Sequence, residues 1–194
     1  LERIVSNHHG ISVESPFLWE VAPQMNVNFL NPFVEAASEV LKAETGLKVS
    51  RENLALQSSA LTTDDITVLL HLVGQVYGVV MYGMSTQTGL NFVSEIMGQP
   101  FTELSSLAQS GVAELGNVIT GSATVKLSKS GYESNISPPT MILGQGVQIS
   151  TLDFPRLVVP LKSDSGVMTV HLALREGQAN QENRPEEFVQ LTVG

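Results

Sequence analysis

The chain has 194 residues, 42% hydrophobic and 15% charged, a formal net charge of −9 and no cysteine. That is the apolar content of one folded domain with extra ends. An acidic surface without a basic stripe excludes nucleic acid as a partner, and the lack of cysteine excludes disulfide scaffolds, thiolate metal sites and thiol catalysis.

Residues 1–24 show no periodicity and read as an N-terminal extension. Patterned sequence begins at Met25, which reads as a natural start. His8 and His9, adjacent near this end, read as loop residues or remnants of an added tag. The N-terminus also lacks the basic and apolar blocks of a secretory signal. Asn31 before Pro32 predicts a helix from Pro32 to about Glu44, because Asn caps free amides and proline suits the first helical turn. Gly46 should end it, and Phe33, Ala36, Ala37, Val40 and Leu41 form its apolar face.

Ile66 to Val73 and Val76 to Met84 are rich in β-branched and large apolar residues around Gly74 and Gln75, the pattern of a hairpin. His71, Gly74, Gln75, Gly78 and Gly83 interrupt this region, so no membrane-spanning run is expected and the protein is expected to be cytoplasmic. Ser85 or Thr86 should cap a second helix to about Met97, closed by Gly98. A third helix, the longest element, should run from Ser105 or Ser106 to about Ser130, ended at Gly131. Gly144 to Gly146 reads as a turn. Val147–Thr151, Leu157–Lys162 and Val167–Leu174 read as strands, the last two joined by a Ser-Asp-Ser-Gly turn. Residues 177–194 form a polar tail, with Phe188 to Val193 a strand docking on a neighbour. His71 and His171 read as packing residues of strands. No serine-hydrolase or phosphate-loop pattern is present.

An internal duplication underlies this order. Residues 32–46 resemble residues 111–125 when Glu35 is placed on Glu114, and Ser38 then falls where Asn117 sits. The expected fold is a two-layer α+β sandwich, internally duplicated, with long helices on a largely antiparallel sheet.

On the third helix, at about 100° per residue, Leu104, Leu107, Ala108, Val112, Leu115, Val118, Ile119 and Ala123 are assigned to the core. Ser110, Glu114, Asn117 and Gly121, spaced four, three and four apart, line the opposite side. From Ser105 to Lys126 the only charged residues are Glu114 and Lys126, and the exposed side is otherwise read as small: Ser106, Ala113, Gly116, Thr120, Gly121 and Thr124. Glycine costs a helix interior about 1 kcal/mol each against alanine. Gly111, Gly116 and Gly121 therefore signal a need for close approach, read here as approach by a partner. A carboxamide on such a face cannot act as a base near neutral pH, but it can orient a water for in-line attack on a phosphoryl group.

The run AELGNVITGSATVKLSKSGYESNISPPTMILG (residues 113–144) resembles the segment shared by the CheC, CheX and FliY chemotaxis phosphatases. Their pattern is Asp or Ser, three residues, Glu, two residues, Asn, then a proline. Ser110, Glu114 and Asn117 match it. Pro138 and Pro139 fall slightly short of the family's proline spacing and are taken as structural. The resemblance spans about Met25 to Arg175, and a single Glu/Asn pair in the second copy is similar to CheX rather than CheC. It implies hydrolysis of the aspartyl phosphate of a CheY-like response regulator, with Asn117 placing the attacking water and Glu114 pairing with the regulator's lysine. Ser110 and Gly121 would belong to the partner-binding surface. It further implies no cofactor of the chain's own, a divalent metal (Mg) held by the phosphorylated receiver, and a homodimer joined through a sheet edge. The alternatives are a non-catalytic module that binds a response regulator, and a small-ligand sensor with a cavity between sheet and helices.

Overall fold

The computed structural model describes residues 27–58, 60–151, 155–177 and 190–193. The N-terminal extension with His8 and His9, and the polar linker after Gly177, lie outside them. Three helices are present among the described residues: α1 (Leu30–Thr45), α2 (Thr86–Met97) and α3 (Ser106–Lys129). The strands are β1 (Ser50–Arg51), β2 (Ala55–Gln57), β3 (Leu61–Thr62), β4 (Ile66–Gly74), β5 (Val76–Met84), β6 (Ser134–Ile136), β7 (Thr140–Leu143), β8 (Val147–Ser150), β9 (Arg156–Ser163), β10 (Gly166–Glu176) and β11 (Gln190–Val193). Eight strands form one antiparallel sheet in the order β1-β9-β10-β5-β4-β6, with β2 also on β9 and β7 also on β4. The sheet β11-β8-β3 adds a layer beyond the expected pair.

Alternation along the long strands sets the layering. Val68, Leu70, Leu72, Val80, Tyr82, Val159, Val170 and Leu172 face the helices, where they join the apolar faces of α1, α2 and α3 in the main core. Leu69, Val79, Met81 and Ala173 point the other way and meet Leu61 and Ile149 of the small sheet in a second core. Strands buried on both faces lose the simple apolar/polar alternation, which is why β4 and β5 read as near-continuous apolar runs.

The duplication is visible in the topology. Each half runs helix, two short flanking strands, one strand of the small sheet, then a hairpin: α1, β1, β2, β3, β4-β5, and α3, β6, β7, β8, β9-β10. The hairpins meet along β5 and β10, β1 and β2 flank β9, and β6 and β7 flank β4, so the halves exchange their edge strands about a central pseudo-twofold. Pro138 and Pro139 separate β6 from β7. Lacking amide hydrogens, they interrupt the edge beside β4, and Ser137 keeps the contact there by accepting from the His71 amide at 3.0 Å.

Most expected boundaries agree with the structure. Ser85 caps α2 by accepting from the Thr88 amide, and Gly46 and Gly98 end α1 and α2 in the left-handed conformation. The start of α1 differs: Phe29 holds the cap position without a side-chain cap bond, and Asn31 lies in the first turn. Burial decides this, since the Phe29 ring is 2% exposed and packs edge-on against Tyr132 at 5.1 Å. The tail strand pairs with β8 of its own chain.

Candidate functional site

Helix α3 begins where Ser105 Oγ accepts from the Ala108 amide and continues for 24 residues across the sheet. Its outward stripe carries Ser110, Glu114, Asn117 and Gly121, as their spacing requires. At the centre, Asn117 Nδ2 donates to Glu114 Oε2 at 3.3 Å. The two groups are therefore mutually oriented before any partner arrives. A carboxamide that donates through its nitrogen keeps an oxygen able to accept.

Two core assignments on this helix are corrected. Leu107 and Val118 are 52% and 41% exposed, and Val125, two turns beyond Val118, is 56% exposed. The spacing held the signal, because Val118 is four residues beyond Glu114 and so shares its stripe. The candidate face is thus a carboxylate and a carboxamide set among exposed apolar side chains. Conversely, Gly116 and Thr120, read as exposed, are buried.

The inward side of this turn fixes its position. A Cβ on Gly116 would lie 2.9 Å from Val68 Cγ1 and 3.3 Å from the Tyr82 ring, so α3 sits closer to the sheet there than any other residue permits. Thr120 Oγ1 donates to the Gly116 carbonyl at 2.7 Å and accepts from Tyr82 Oη at 2.9 Å. Burial pushes the Tyr82 phenol well above its usual range, so it remains a donor. A hydrogen-bonded chain thereby ties the sheet to the turn that carries Glu114 and Asn117. Sequence reasoning missed Tyr82 and Thr120, since a Thr in a helix and a Tyr in a strand carry no motif.

The helix glycines serve mainly internal contacts, which corrects their reading as a partner platform. A Cβ on Gly111 would meet Met97 Cε at 2.9 Å and Val93 Cγ1 at 3.0 Å, so this glycine admits α2. Only at Gly121, of the three, is the space above open.

Lys126 leaves the outward stripe and bridges to α1, with Nζ 2.9 Å from Glu39 and 3.6 Å from Glu35. The Glu39 hydrogen bond raises its pKa further and keeps it charged. The first-copy counterpart of Glu114 is therefore engaged within the fold. Between α1, α2 and α3 lies a groove of about 190 Å³ walled by Val40, Ile96, Met97, Leu115 and Val118, with Glu44 and Glu114 at its margin. Among the described residues, no three His, Asp or Glu side chains cluster as a metal site.

The family model described as chemotaxis phosphatase CheX matches residues 66–162, half of the chain. The CheY-P phosphatase CheX of Thermotoga maritima is 24% identical over 155 residues, which cover 79% of this chain and 99% of that protein. A CheC-like superfamily protein from Shewanella sp. PV-4 superposes with a TM-score of 0.71 at 26% identity, covering 79% of this chain and all of that one. The structure of a CheX–CheY–BeF3–Mg2+ complex from Borrelia burgdorferi shares the fold, with a TM-score of 0.61 at 24% identity, covering 78% of this chain and 100% of the matched chain. With its duplicated fold and the matching segment of α3, the chain belongs to the chemotaxis phosphatase CheX family.

Proposed function

We propose that this chain hydrolyses the aspartyl phosphate of a CheY-like receiver, Asn117 positioning the attacking water and Glu114 docking to the receiver's lysine. The observation that carries the reading is the Glu114–Asn117 pair, bonded at 3.3 Å on an exposed helix turn that is tied from beneath to the sheet. The receiver contributes the phospho-aspartate and its own divalent ion. The chain's residues contribute placement: Glu114 exchanges its bond to Asn117 for the incoming lysine, and the released carboxamide accepts from and aligns a water along the axis of attack. Fixed positioning of one water and one electrophile accounts for catalysis by so few groups. Ser110 and Gly121 extend the contact surface along the same stripe.

The same reading carries a homodimer in the cytoplasm, and light scattering should then return about twice the chain mass of 20.8 kDa. The test of function is phosphate release from phosphorylated receivers mixed with the purified chain. Accelerated release supports the proposal. Binding without acceleration would overturn it in favour of a non-catalytic receiver-binding module.

A further inference from the structure

We infer that the groove beside Glu114 is a specificity pocket, taking one large apolar side chain that the receiver carries next to a cation. This rests on the receiver being the partner. Two observations place it. Glu114 itself lines the groove, so anything paired with that carboxylate lies at the groove's mouth. Val118, one helical turn beyond it in the groove wall, is 41% exposed although apolar, and exposed apolar groups beside a polar contact residue mark a contact surface.

Size and charge define the occupant. At about 190 Å³ the groove falls below the roughly 300 Å³ at which small-molecule sites begin, while a cavity of about 150 Å³ already accepts a benzene ring. One leucine, methionine or phenylalanine side chain fits. The margin holds two exposed carboxylates, Glu44 and Glu114, no Lys or Arg among the described residues lines the groove, and the whole chain carries −9. An anchor flanked by lysine or arginine is the complementary partner, the receiver's lysine meeting Glu114 and a second cation meeting Glu44. Gly111 belongs to the same device. Without a side chain it lets α2 close on α3 and brings Met97 into the wall.

The test uses the full chain and a panel of receiver domains, phosphorylated with acetyl phosphate for kinetics and loaded with beryllofluoride for binding. Val118→Glu places a good helix former at an exposed position, and Glu44→Lys reverses the distal margin. Both should raise KM and Kd about tenfold or more, with kcat within about twofold. Val167→Glu, on a strand away from α3, should change neither, and Asn117→Ala should lose kcat while keeping Kd. Unchanged KM and Kd in Val118→Glu and Glu44→Lys, alongside loss of rate in Asn117→Ala, would overturn the pocket and leave the phosphatase reading standing. Full rate in Asn117→Ala would overturn the catalytic reading, and the pocket would then stand or fall on Kd alone. Failure of every receiver to bind would overturn both.

Discussion

At the residue scale, Glu114 and Asn117 are common side chains made unusual by position. Their mutual bond implies separable roles. Glu114→Lys should raise Kd for a beryllofluoride-loaded receiver about tenfold or more, because a like charge would then face the lysine proposed to dock there, and a binding titration reads this directly. Gly121, whose outer side is open, gives a second prediction. Gly121→Ala should stabilise the chain by up to about 1 kcal/mol in urea unfolding, yet slow phosphate release if the receiver must approach closely there. The Glu/Asn pair was legible because three- and four-residue spacings fix a shared helix face. The purpose of the glycines was not, since a need for close approach does not say what approaches. The contacts at Gly111 and Gly116 lie with Met97 and Val68, 14 and 48 positions away in the chain.

The element that matters is α3 on its floor. Thr120→Val keeps the shape but leaves the buried Tyr82 hydroxyl without its acceptor, at a cost of about 1–3 kcal/mol. Thr120→Ser should recover most of it, and urea midpoints separate the two. Gly116→Ala should lift the helix from Val68 and Tyr82 and destabilise by about 1–3 kcal/mol, the usual penalty of overpacking. Helix ends were legible wherever a local signal set them: Ser85 and Ser105 as caps, Gly46 and Gly98 as left-handed stops. The start of α1 was not, because burial of Phe29 against Tyr132 is a contact between distant residues. The strands β1, β2, β3, β6 and β7, two to four residues long, are too short to display a period and take their conformation from the partner they flank.

For the whole molecule, the duplicated helix-and-hairpin order was legible in the match of Glu35 to Glu114. The exchange of edge strands between halves was not, since pairing across 60 residues or more leaves no local trace. One global property follows from the buried centre of the sheet. His171, 5% exposed on β10, is pushed down to about 3 by burial, with Arg156 adding to the effect. It is neutral when folded but takes up a proton near pH 6.5 when unfolded. Its depressed pKa therefore contributes stability that is complete above pH 6.5 and lost as pH falls toward 3, on the order of a few kcal/mol across the window. Urea midpoints between pH 7 and pH 4 should fall less steeply in His171→Leu than in the unaltered chain, and an equal slope would refute the assignment.

In the proposed function Asn117 performs the chemistry on a surface that other residues hold in place. This role is tested by single-turnover decay of a phosphorylated receiver with excess chain, comparing Asn117→Ala with the unaltered protein at matched thermal stability. Decay should be about a hundredfold or more slower in the variant, the scale lost when an orienting group is removed from a preorganised site, with receiver binding unchanged. Decay at the unaltered rate would contradict that role.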